Sequence, residues 1–105
     1  MARTAHDHEH VLGDVPVLDI GGDVGAIVAR LDRQTGTGEI EACPVGAPDR
    51  RFHTGVHHLH GVGTTTYVAV FPQVVEGRYH LLDDGGSPRA TVDVTGGRVT
   101  EVDLR

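Results

Sequence analysis

The chain has no lysine, no asparagine and no tryptophan, and only one cysteine and one serine. Each shortage removes a class of explanation. With Cys43 as the lone cysteine, no intrachain disulfide can form and no thiolate set can hold an iron–sulfur cluster. A small domain without that staple relies on its core, on partner chains or on bound metal. Ser87 is the sole serine and sits beside Pro88, which marks a turn. There is no G-x-S-x-G elbow and no H-E-x-x-H, so no hydrolase signature is present. No run approaches the roughly 20 apolar residues of a membrane span. The opening "MARTAHDHEH" lacks the apolar stretch of a signal peptide, so the expected location is cytoplasmic. Nine scattered arginines face fifteen acids, for a net charge of −6, and make no basic stripe for nucleic acid.

What remains is short, glycine-punctuated and rich in β-branched residues. Fifteen glycines in 105 residues point to many tight turns. After Pro16 the chain breaks into the runs "PVLDI", "GAIVARL", "GEIEACP", "RFHTGVHHLH", "TTYVAVF", "GRYHLLD", "RATVDVT" and "RVTEVDL". Segments of this length between turn signals predict an all-β sandwich of seven or eight antiparallel strands. Alternation supports this. Ile40 and Ala42 oppose Glu39 and Glu41, and Ala90, Val92 and Val94 oppose Thr91, Asp93 and Thr95. "TYVAVF" is apolar on both faces and reads as a central strand. "VTGGRVTEV" reads as a hairpin turning at Gly96-Gly97. Residues 1–14 read as a mobile histidine-rich arm and residues 15–105 as one domain.

The stretches "VLDIGGDVGAIV", "GEIEACPVG", "YVAVFPQVVEGRYHL" and "GGRVTEVDL" resemble a group of small actinobacterial proteins of about this length. Together they cover nearly the whole chain from residue 17. The segment "VFPQVVEGRYHL" also resembles the penultimate hairpin of transthyretin-like and carboxypeptidase-regulatory-like sandwiches. The resemblance implies that fold and transfers no catalytic residue.

The sharpest chemical feature is "HTGVHHLHGVG", with four of the eight histidines between residues 53 and 60. On an extended strand His58 and His60 share a face with Cα atoms roughly 6.5–7 Å apart. Imidazoles at that spacing can converge on one ion, since metal–nitrogen bonds are about 2.0–2.1 Å. His53 and His57 take the other face. A three-residue loop at Gly61 to Gly63 would put His58 and His60 with Val68 and Val70. A two-residue loop at Val62-Gly63 would put them with Tyr67 and Ala69.

The pair needs further ligands, from His57 or from His6, His8 and His10 of the arm. An all-imidazole set suits Zn, Cu or Ni. The leading reading is therefore a non-catalytic, metal-binding β-sandwich. The rival is a metal-free interaction or self-assembly module that forms a homo-oligomer or binds a protein partner, pH-sensitive through its histidines. Cys43 has no base near it in sequence, and His80 reads as a framework residue. The acids of "DIGGD" and "LLDDGG" fit turn chemistry better than a calcium loop. "DIGGDVGA" lacks the G-x-G-x-x-G of a phosphate cradle.

Overall fold

A computed structural model describes residues 19–32, 38–83 and 85–105. They form seven strands: β1 (Val24–Leu31), β2 (Glu39–Pro44), β3 (Phe52–Gly61), β4 (Thr64–Val75), β5 (Gly77–Leu82), β6 (Pro88–Val94) and β7 (Val99–Asp103). The all-β expectation holds, and seven of the eight anticipated runs are strands. Of the eighth, "PVLDI", residues 16–18 lie outside the described residues, and Asp19 and Ile20 are not in a strand.

The strands form one mixed sheet in the order β6-β5-β2-β3-β4-β1-β7. Each pair is offset from the next. β3 joins β2 through Phe52–Gly55 and joins β4 through Val56–Gly61. β4 in turn joins β1 through Tyr67–Val75. Such progressive stagger is what curls a sheet toward a barrel. Closure is nearly reached: the Thr100 hydroxyl of β7 donates to the Asp93 carbonyl of β6 at 2.8 Å, although no ladder joins those strands.

Two expectations about pairing are corrected. The sheet is not wholly antiparallel, because β7 runs parallel to β1, with Ala26 opposite Val99 and Arg30 opposite Asp103. "VTGGRVTEV" is consequently no hairpin. Its turn is closed by the Arg98 amide on the Thr95 carbonyl (3.1 Å), but Gly97 then donates to Val24 (2.9 Å) and Ala26 to Arg98 (3.1 Å). The chain is captured by β1 instead of folding back on β6. Gly96 serves close approach here, since a Cβ there would overlap the Gly22 carbonyl oxygen and the Asp23 Cα. Only Gly97 uses the left-handed region (φ 76°). Likewise β4 does not turn back onto β5, which pairs with β2 and β6.

The core occupies the inner face. Ile27, Ala29 and Leu31 of β1 meet Ala69, Phe71 and Val74 of β4, Ile40 and Ala42 of β2, and Tyr79 and Leu81 of β5. Val92 and Val94 of β6 and Leu104 complete it. Phe52 sets its ring edge-on to both Phe71 (5.4 Å between centres, 90°) and Tyr79 (5.8 Å, 81°), the preferred geometry for aromatic pairs. The Tyr79 hydroxyl donates to the Val75 carbonyl, so its one polar group is satisfied as the ring is buried. Val68, Ala69, Val70 and Phe71 are all buried, as expected of a central strand.

Candidate functional site

The β3–β4 hairpin extends past the core as a two-stranded ribbon. Its loop is the two-residue form, Val62-Gly63, with Gly61 opposite Thr64 and Gly63 at φ 75°. Val62 at the tip is fully exposed. Beyond residue 56 the β2-side edge of β3 carries no described strand, and neither does the β1-side edge of β4 before Tyr67.

This register places the histidines. His58 lies opposite Tyr67 and His60 opposite Thr65, so the two share the face that continues the inner side of the sheet. The His58 ring stands edge-on to Tyr67, with ring centres 4.7 Å apart at 67°. His60 Nδ1 lies 3.3 Å from the Thr65 hydroxyl, which leaves Nε2 as its ligating nitrogen. His57 sits opposite Val68 on the outer face and does not join the pair. His53 is farther down the strand, with Nε2 3.8 Å from the Glu39 carboxylate. His6, His8 and His10 lie outside the described residues. Among the described residues no group of three or more His, Cys, Asp or Glu side chains is arranged to hold a metal ion.

One juxtaposition was invisible in the sequence. Cys43 of β2 lies directly opposite His80 of β5, so a thiol and an imidazole stand on one face. Nothing but register brings them together, and register is not written in composition or spacing. The thiol is buried, and His80 Nδ1 lies 3.0 Å from the Thr91 hydroxyl. His80 is thus held by the framework as expected, although its face is that of Cys43.

Elsewhere the acids behave as turn and surface groups. Asp83 accepts the amides of Gly85 (3.0 Å) and Ser87 (2.9 Å), as an Asx turn requires. Asp93 is held below the usual carboxylate range by the Arg78 guanidinium 2.8 Å away. Asp103 is pulled down to about 2, chiefly by its side-chain hydrogen bond with Arg105. Burial pushes the Tyr79 phenol up. Two open clefts exist. One of about 470 Å³ lies between Asp19–Gly21 and Gln73, and one of about 440 Å³ lies between Arg30 and Thr65–Tyr67. Neither gathers a nucleophile with a base.

No family model matches this chain, and no curated protein or solved structure is similar to it.

Proposed function

We propose that this protein is a non-catalytic β-domain that binds a transition metal, Zn, Cu or Ni, through the β3–β4 ribbon. The observation that carries this reading is the shared, exposed face of His58 and His60. Two imidazoles make half of a tetrahedral site. The other half comes from outside the pair: from the arm histidines His6, His8 and His10, or from the same ribbon of a second copy. A tip that projects beyond the core leaves room for either. The transthyretin-like sandwich and a cytoplasmic location belong to the same proposal. Seven strands around one apolar core support the first, and an unbridged, buried Cys43 supports the second.

Isothermal titration of untagged protein with each metal tests the reading. The expected Kd is about 1 μM or tighter, with loss in His58→Ala and His60→Ala and retention in His53→Ala. Binding no tighter than about 10 μM, a level that scattered surface imidazoles could reach, overturns it.

The open ribbon edges favour a second reading, self-association by strand pairing. Light scattering separates the two. Oligomers that survive both chelator and the histidine substitutions belong to strand pairing.

A further inference from the structure

The outer face of β1 and β4 poses a problem of cover. Successive strand residues alternate sides, so Ala26, Val28 and Arg30 of β1 share the outer face with Val68 and Val70 of β4. Val70 is nevertheless only 1% exposed, Val68 7% and Ala26 0%, and none of the three belongs to the core cluster. Lateral neighbours do not explain Val70. It is flanked by Val28 on one side. On the other lies Gly55, one step past the Val56–Ala69 pair, which has no side chain to lend. The core contributions of β2, β5 and β6 all lie on the inner side. Ile20, the nearest candidate, stands at the far end of the face beside Gln73 and Val75.

We propose that residues 11–18 lie back over this face and form a second apolar layer of the same domain. The burial belongs to a single chain, so the cover is intramolecular. The remaining choices are poor: residues 33–37 read "RQTGT" and are polar, and residue 84 is one aspartate. Residues 11–18, "VLGDVPVL", supply Val11, Leu12, Val15, Val17 and Leu18. Their point of departure is fixed, because Asp19 accepts a hydrogen bond from the Gln73 amide at 3.1 Å. From Gln73 to Val68 is about 17 Å along β4, and the same count of extended residues leads back from 19 to 14. Val11, Val15 and Val17 share one side of such a segment. Pro16 has no amide hydrogen, so the segment seats by its side chains and not as an interior strand of a ladder.

The inference stands independently of metal binding, but it redirects the arm. A segment on this track leaves the domain past Thr66, on the side of His57 and Leu59. It would deliver His6, His8 and His10 to His57, leaving His58 and His60 to a partner.

The test is thiol protection in the full-length chain with Cys43→Ala as background. Val70→Cys, with Val28→Cys as a second probe, should react slowly with a soluble aromatic disulfide at any protein concentration. Adding Val15→Asp and Val17→Asp should speed labelling at least about tenfold while the β-type circular dichroism persists. Unchanged labelling, or protection lost on dilution as a second copy would give, overturns the proposal. Disulfide trapping covers the case in which the aspartate variant unfolds. Cysteine pairs joining position 15 or 17 to position 68 or 70 should cross-link within one chain, and failure of all four overturns it.

Discussion

His58 stands edge-on to Tyr67 across the β3–β4 ribbon, their ring centres 4.7 Å apart, while its sequence neighbour His57 faces Val68 on the opposite side of the sheet. Four histidines close in sequence are thereby divided between two surfaces. Replacing Tyr67 by Ala should lower the affinity for metal by about threefold to tenfold without abolishing it, because the ring orients one ligand and donates none. Titration calorimetry on that variant, with folding checked by circular dichroism, reads the effect.

The ring of Phe71 is buried and meets Phe52 at a right angle. Phe71→Ala should cost roughly 3–5 kcal/mol, a large share of the 5–15 kcal/mol typical of a domain this size. Tyr79→Phe removes only the hydroxyl bond to Val75 and should cost about 1 kcal/mol. Urea unfolding followed by circular dichroism ranks the two.

Gly96 and Gly97 are adjacent yet should respond differently to alanine. At Gly97 the surroundings are open and the left-handed backbone is the whole difficulty, roughly 1–2 kcal/mol. At Gly96 a methyl group meets the backbone of Gly22 and Asp23, neither of which can yield as a side chain would. Gly96→Ala should cost roughly 3 kcal/mol or more. Equal midpoints for the two variants in a thermal melt would contradict the close-approach account.

Asp103 titrates at about 2 in the folded chain because Arg105 bonds its ionised form. A depressed carboxyl pKa contributes stability above its unfolded value, and that contribution is lost as pH falls from near 4 toward 2. The pair is fully exposed, so salt should weaken it. Carbon-13 titration of the Asp103 carboxyl should show a midpoint near 2 that returns to the ordinary range in Arg105→Ala.

Cys43 should resist alkylation while the chain is folded and react fully in denaturant. It is 3% exposed and lies across from a histidine anchored to Thr91. Rapid labelling under native conditions, followed by mass spectrometry, would show that β2 opens locally.

The strands were legible because their signal is local. Alternation at Glu39–Ala42 and at Ala90–Val94 appears in the burial of those residues, and Val68 to Phe71 is buried on both faces. Pairing is a relation between distant segments, and there the sequence was silent or misleading. The Gly96-Gly97 turn has the composition of a hairpin, but the competition for β7 is decided by the free edge of β1. The ribbon histidines were half legible. Their division between faces follows from spacing, whereas the side facing Tyr67 depended on whether the loop held two residues or three. The meeting of Cys43 with His80 needed the β2–β5 register, which no local pattern carries.

The parallel pairing of β7 with β1 also orders events in time. Along a chain made from its N-terminus, β1 can find β4 once about seventy-five residues exist, but its other edge waits for residues 99–103. Leu104, buried in the core and donating its amide to the Arg30 carbonyl at 2.8 Å, arrives later still. Until then the nascent sheet keeps one exposed flank and an unfilled core. Folding therefore ends with a contact between segments more than seventy positions apart, a slow and late closure that makes the last strand the gatekeeper of the native state.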